Sequence, residues 1–371
     1  MSANNPDLTP IPWLDSARQQ LFTTWLDSCA TTFELDLNTL TLASADASFR
    51  RYFRLFSSKE PTKSYIIMDA PPDKENCDAF ISVATLLKNA GLLVPEILHW
   101  SPDVGFMLIT DLGTKTLMQH IGADLDLSIP YLTPPLKPFI QSIDSLVLLQ
   151  HASTPGVLPA YDEALLSREL SLFPEWYLSK HKGISLSTEH QNTLDSSFKL
   201  IIKSNLSAPN VFVHRDFMTR NLMISADPDE TRLGVLDFQD AVMGPITYDI
   251  ASLMRDAFCT WSEEFVLDVT VRYWERIRST GIIDGNGWSE DFGEFWRAVE
   301  WMGLQRHLKV AGIFARLTLR DHKPKYLADT PRFLNYIRNT AQRYRELFPL
   351  IKMIDVLEGT THDQAFSFGR L

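Results

Sequence analysis

The residues of this sequence best able to do chemistry are three oxygen-bearing side chains set at short intervals. Val213-His214-Arg215-Asp216-Phe217-Met218-Thr219-Arg220-Asn221 places a carboxylate five positions ahead of an amide. The H-R-D-x-x-x-x-N order is that of a phosphoryl-transfer catalytic loop. In such a loop the aspartate, here Asp216, accepts the proton of an attacking hydroxyl. The asparagine, here Asn221, gives an amide oxygen to Mg²⁺. After a turn at Asp227-Pro228-Asp229 comes Val235-Leu236-Asp237-Phe238-Gln239-Asp240, where Asp237 stands as the metal-binding aspartate that ends a short strand. Mg²⁺ prefers octahedral oxygen ligands and keeps several waters, so Asn221, Asp237 and the phosphates of ATP make an ordinary set. The plainer alternative has Asp216 capping a turn, Asn221 forming an Asx-turn and Asp237 only ending a strand. The coincidence of all three in this order, around a strand-turn-strand, favours the chemical reading.

These residues need elements to position them. Ser16 to Ala30 spaces Leu21, Phe22, Trp25 and Leu26 at helical intervals. Strand-like runs follow at Leu37–Leu42, Phe49–Phe56 and Tyr65–Met68, the last stopped by Ala70-Pro71-Pro72. Phe80, Val83, Ala84 and Leu87 predict a helix over Cys77–Asn89, with Gly91 where a C-cap belongs. Strands at Glu96–His99 and Phe106–Thr110 complete an α+β lobe, and Asp111-Leu112-Gly113 reads as a turn and linker. A division into residues 1–112 and 113–371 follows. From Thr116 the pattern is mainly helical, at Leu136–Leu149, Glu163–Lys180, Thr188–Lys203, Ser262–Ser279, Asp291–Leu317 and Pro331–Leu347. The exception is Val211 to Val235, which reads as loop, short strand, turn and short strand and carries the catalytic residues.

Bulk properties bound the function. A chain of 371 residues exceeds one ordinary compact domain, and 45% hydrophobic residues supply ample core. A net charge of -11 and a pI near 5.3 give no basic face for nucleic acid and no polybasic run for anionic lipid. The three cysteines, Cys29, Cys77 and Cys259, form neither a disulfide framework nor a metal spacing. The N-terminus has no signal-peptide form and no run approaches transmembrane length, so a cytoplasmic protein, where ATP is available, is expected.

The stretches His214–Asn221, Leu236-Asp237-Phe238-Gln239-Asp240-Ala241 and Gly244-Pro245-Ile246-Thr247-Tyr248-Asp249 resemble the aminoglycoside phosphotransferase/choline kinase-like family. Asp46–Arg54, Met68–Pro72 and Leu304–Lys309 are further similar to its branch of bacterial anomeric N-acetylmuramate/N-acetylglucosamine kinases of cell-wall recycling. The resemblance implies a bilobal protein-kinase-like fold, with a small β-rich N-lobe and a larger, mainly helical C-lobe. It implies ATP and Mg²⁺ as cofactors, Asp216 as base, and Asn221 and Asp237 as metal ligands. It also implies adenine contacts from backbone near Ile109 to Leu112. In the helical lobe Glu169, Trp176 and Arg306 are candidates for a sugar pocket, with a helix face, a core aromatic and a surface cation as the alternatives.

Two features depart from the family pattern. The turn at Ala43-Ser44-Ala45-Asp46-Ala47-Ser48 holds no glycine where a glycine-rich loop normally covers phosphates, so Ser48 would contribute a hydroxyl unless this is an ordinary turn. Met68 stands at the expected lysine position. Among Arg50, Arg51 and Arg54, Arg51 is the choice to supply the missing charge, the alternative being arginines on an exposed sheet. Asp249 reads as a cap in the first turn of its helix and His307 as a packing or surface residue. Phosphorylation of an aminoglycoside or amino alcohol, and a nucleotide-binding regulatory protein, are the competing functions. The intact base and metal ligands argue against the latter.

Overall fold

The structure, a computed structural model, describes residues 11–13, 15–45, 49–225, 227 and 229–359. It divides into two units, Met1–Thr116 with Met223–Gln239, and Leu117–Leu222 with Asp240–Leu371. The division expected at residue 112 is therefore not a single cut, because the segment carrying Asp237 belongs with the first unit.

In the first unit, helix α1 (Ser16–Ala30) is started by Asp15, whose carboxylate accepts from the amides of Ala17 and Arg18 at 2.8 and 3.3 Å. Phe22, Trp25, Leu26 and Cys29 repeat at helical intervals and are buried. They pack on an antiparallel sheet of five strands, β1 (Leu35–Ala45), β2 (Arg51–Ser57), β3 (Ser64–Asp69), β4 (Ile97–Ser101) and β5 (Phe106–Thr110), in the order β1-β2-β3-β5-β4. Alternation puts Phe53, Leu55, Tyr65, Ile67, Phe106 and Leu108 under α1. Residues on the other face include Met68, which pairs with Tyr52 across the β2–β3 ladder. Helix α2 (Asp78–Asn89) buries Phe80, Val83, Ala84 and Leu87, as their spacing predicts. It stops at Gly91, at φ +89°. Around Gly234–Val235 a smaller sheet adds Lys115–Thr116 and the strand Leu222–Ile224.

The second unit is built from helices: α3 (Leu117–Gly122), α4 (Leu136–His151), α5 (Glu163–Leu170), α6 (Thr188–Leu206), α7 (Thr247–Met254), α8 (Glu263–Arg278), α9 (Phe292–Leu319), α10 (Thr330–Ala341) and α11 (Phe348–Glu358). The long α9 is its axis, with every residue from Val299 to Lys309 buried, so it is packed on all sides. An antiparallel ribbon pairs Asn210–Val213 with Val242–Pro245. No helix among the described residues is long and apolar enough to cross a membrane.

Two helices differ from expectation. Glu163–Lys180 is interrupted: α5 ends at Leu170, and a wide π-helical stretch, Phe173–His181, begins with Pro174 in its first turn. Pro331–Leu347 likewise ends early at Ala341, and α11 follows with Pro349 near its start.

Where α9 meets the π-helical stretch, Gly312 is required by space. A Cβ there would lie 2.4 Å from the backbone carbon and oxygen of Leu172. An alanine in a helix interior normally gains about 0.5–1 kcal/mol over glycine. Here the clash is with backbone, and Gly312→Ala is expected to lower stability by about 1–3 kcal/mol in urea denaturation. A raised midpoint would contradict the close approach.

Candidate active site

The ribbon strand Asn210–Val213 delivers the loop His214–Asn221, and the second unit fixes that loop from behind. Asp249, fully buried in α7, accepts from the His214 amide at 2.7 Å through one carboxylate oxygen and from the Arg215 amide at 3.0 Å through the other. Burial pushes its pKa up, opposed by His214 and these two N–H donors. The expected helix-cap role for Asp249 is thus corrected, since its carboxylate clamps catalytic-loop backbone instead. At the other end of the loop Asp256, also buried, accepts from the Thr219 amide at 3.3 Å and hydroxyl at 2.7 Å.

Between the clamps the loop takes a shape that ordinary residues resist. Arg215 sits at φ +75°, a left-handed conformation that is costly for a side chain of its size and recurs at functional sites. The Asp216 amide donates to His214 Nδ1 at 3.3 Å, and the Asp216 carbonyl accepts from the Met218 amide at 2.9 Å. That carbonyl also accepts from Asn221 Nδ2 at 2.9 Å. With its nitrogen on the loop, the Asn221 amide is oriented, and its oxygen is the atom type that Mg²⁺ takes.

Beneath Arg215 lies a buried polar hub. The Glu169 carboxylate, on α5, accepts from Arg215 Nη2 at 2.8 Å, from Gln305 Nε2 at 3.0 Å and from the Tyr161 hydroxyl, and pairs with Lys309 Nζ at 3.0 Å. Burial works against its charge, but Lys309, Tyr161 and Arg215 outweigh it and hold the pKa down to about 2. Lys309 also donates to the Tyr248 hydroxyl at 2.9 Å. Arg306 donates to the Arg215 carbonyl at 2.9 Å and lies 4.7 Å from the centre of the Tyr248 ring. Burial again opposes its charge, which Tyr248, Asp216 and Asp249 sustain.

These placements change the expected sugar contacts. Glu169 is a buried ion-pair hub, its carboxylate engaged by protein donors, and Arg306 braces the catalytic loop from α9. Trp176 stands on the π-helical stretch with Lys180 Nζ 3.5 Å from its ring centre. The structure brings Glu169 and Arg306 together around Arg215 and leaves Trp176 outside that group. Sequence reasoning missed Tyr161, Lys309 and the clamping by Asp249 and Asp256. The four-residue spacing of Gln305 and Lys309 on one helix face was the available signal for part of it.

In the first unit Asp237 adopts φ +63°, with Gln239 Nε2 donating to its Oδ1 at 2.9 Å. Phe238 anchors this turn by packing against Phe80 of α2, ring centres 4.9 Å apart. Ile109 is buried in β5, paired with Ile66 and Ile97. Leu112 closes over Gly234, where a Cβ would approach its Cδ1 to 2.8 Å. The linker between them is braced by Asp111, which accepts from Arg54, Ser64 and the Gly113 amide.

The arginine expected on phosphates is placed otherwise. Arg51 lies on the α1 side of the sheet, with its Nη2 2.6 Å from Asp69 and its guanidinium 4.0 Å from the Trp13 ring centre. Asp69 holds Arg18 as well, at 2.6 Å. Met68 faces the opposite side, so from this position Arg51 does not stand in for a lysine there. Arg50, which shares the face of Tyr52, is nearly buried and paired with Glu75 at 3.1 Å. Ser48 lies outside the described residues.

A family model described as the phosphotransferase enzyme family matches residues 39–285. An N-acetylmuramate/N-acetylglucosamine kinase of Neisseria meningitidis serogroup B is 44% identical over 346 residues, covering 92% of this chain and 96% of its own. A kinase of the same description from Pseudomonas aeruginosa is 44% identical over 349 residues, covering 92% and 97%. Among solved structures, an ADP-bound aminoglycoside phosphotransferase superposes with a TM-score of 0.54 at 13% identity, over 87% of this chain and 98% of that one. At that identity the likeness speaks for a kinase-like fold alone. The family match takes in both the sheet of the first unit and the catalytic loop of the second, and the chain accordingly belongs to the phosphotransferase enzyme family as a small-molecule kinase.

Proposed function

We propose that this kinase transfers the γ-phosphoryl group of ATP, in the cytoplasm, to the anomeric hydroxyl of N-acetylmuramate, N-acetylglucosamine or both. The observation that carries the reading is near end-to-end identity of 44% to kinases described by those two sugars. It is supported by a catalytic loop that keeps its base and is held at both ends by buried carboxylates.

In the transfer, Asp216 accepts the proton of the sugar hydroxyl as that oxygen bonds to the γ-phosphorus. The bond from phosphorus to the β–γ bridging oxygen breaks, and ADP leaves. The anomeric hydroxyl is a hemiacetal and somewhat more acidic than an ordinary alcohol, so a single carboxylate suffices as base. Asn221 and Asp237 are the residues that would hold Mg²⁺. Their hard oxygen donors fit it, and when bound it neutralises phosphate charge. Backbone between Ile109 and Leu112 serves adenine in this reading. Arg306 steadies the loop that carries the base.

The test is ADP release from Mg-ATP with N-acetylmuramate, N-acetylglucosamine, an aminoglycoside, choline or no acceptor. Turnover confined to the N-acetylated sugars is expected. Preference for the aminoglycoside or choline would overturn the assignment.

A further inference from the structure

Of the three arginines that could have replaced the missing lysine, Arg50 and Arg51 are paired with Glu75 and Asp69, and Arg54 is paired with Asp111 of the linker after β5. Alternation sets Arg54 in a cross-strand row with Ile66 and Ile109, on the face opposite α1. Ser64 and Asp111, each two positions along from one of these isoleucines, continue that face. There the Asp111 carboxylate, its side chain 3% exposed, receives the Arg54 guanidinium at both oxygens. Oδ2 accepts from Nε, and Oδ1 accepts from Nη2 at 3.0 Å. Ser64 Oγ donates to Oδ2 at 2.7 Å. The same Nη2 of Arg54 donates to the Gly113 carbonyl at 2.8 Å, and the Gly113 amide donates to Asp111 Oδ1 at 3.0 Å. One buried carboxylate thus ties β2, β3 and the linker together.

Each of these contacts fixes backbone. Gly113 sits at φ +114°, a conformation open to glycine and costly for other residues, and both of its backbone polar groups are held. Between Asp111 and Gly113, Leu112 is pressed against Gly234. A Cβ added to Gly234 would lie 2.8 Å from Leu112 Cδ1 and 3.1 Å from its Cβ, so a glycine lets the linker lie this close. Val235, the next residue, is itself pinned, its amide donating to the Leu93 carbonyl at 2.8 Å. Backbone that recognises a flat base must present its amide and carbonyl groups in fixed directions. A linker free to move would lose part of the binding free energy to its own ordering. The Arg54 guanidinium, neutralised by a buried carboxylate, brings no net charge to a phosphate. Its contacts instead give it a hold on the linker.

We propose that Arg54 is a positioning residue for the nucleobase: through Asp111 and Gly113 it presets the linker backbone that receives adenine, and it does not act through the phosphates. The proposal rests on the reading that backbone between Ile109 and Leu112 serves adenine, and goes beyond it by naming the side chains that set the affinity.

The experiment compares Arg54→Lys and Ser64→Ala with the parent chain, well below each thermal midpoint so that every chain is folded. Calorimetry follows Mg-ADP, and saturation-transfer NMR titration follows adenosine. A lysine keeps a charge opposite Asp111 but cannot fork between the carboxylate and the Gly113 carbonyl. Arg54→Lys is expected to raise the Kd of ADP and of adenosine by the same factor, about 3- to 10-fold, the equivalent of one neutral hydrogen bond. Ser64→Ala removes one donor and strands no charge, and is expected to raise both by less. Adenosine has no phosphates, so it separates the two roles open to Arg54. A weakened ADP with unchanged adenosine would place Arg54 on the phosphates and overturn the proposal, as would parent-like Kd values for both ligands in either variant. Hydrogen exchange of the parent checks the reading beneath it, with adenosine expected to slow exchange over residues 106–113. Slowed exchange with parent-like Kd values in the variants would remove Arg54 and leave the adenine reading standing. Unslowed exchange there with adenosine bound would overturn both.

Discussion

Asp216→Asn is expected to lower kcat by about 10²–10⁴-fold, the usual contribution of a positioned general base. ATP affinity, measured by calorimetry, should stay close to that of the parent. The hydrogen bonds that shape the loop use the Asp216 backbone amide and carbonyl, and the amide of Asn221 rests on that same carbonyl. The clamps Asp249 and Asp256 grip other residues. Replacing the carboxylate by an amide therefore removes the proton acceptor and leaves the loop built. Parent-like turnover would take the base assignment away from Asp216.

The second large effect is on stability. Glu169→Gln leaves Lys309 and Arg215 buried beside a neutral amide. Breaking one side of a buried ion cluster costs about 3–5 kcal/mol, most of it from the charges left without a counter-charge. The pH dependence follows from the depressed pKa. Glu169 falls from an ordinary 4.5 to about 2 in the folded chain, so its contribution is fully present above about 4.5 and fades as pH falls toward 2. The gap between parent and variant in urea denaturation should be constant from neutral pH down to about pH 5, then narrow. Adding Lys309→Met to the variant should recover part of the loss, because it removes one of the stranded charges. A Gln variant as stable as the parent, with acceptor KM raised instead, would return Glu169 to the sugar site.

How much of this was legible in the sequence depends on the range of the interaction. The helices α1 and α2 were legible because Phe22, Trp25 and Leu26, and Phe80, Val83 and Leu87, repeat at intervals that a helix alone satisfies. The proposed roles of Asp216, Asn221 and Asp237 come from the sequence itself, because phosphoryl transfer constrains a short stretch of chain. The role of Asp249 was not. Its partners lie 34 and 35 positions away, and an aspartate in the first turn of a helix looks locally like a cap. Glu169 was hidden for the same reason, with Gln305 136 positions distant. Alternation along β2 puts Arg51 on the face of Phe53 and Leu55, opposite Arg54. It could not tell that α1, Trp13 and Asp69 would cover the face on which Arg51 lies.

The most direct test of the central claim is the position of the phosphate on the product. N-acetylglucosamine is incubated with the enzyme and Mg-ATP, and the product is read by proton NMR with and without phosphorus decoupling. The account predicts a sugar whose anomeric proton is split by phosphorus, with one ADP formed per sugar consumed. Phosphorus coupling at the C6 protons, or no phosphorylated product from N-acetylglucosamine or, in a parallel incubation, from N-acetylmuramate, would contradict it.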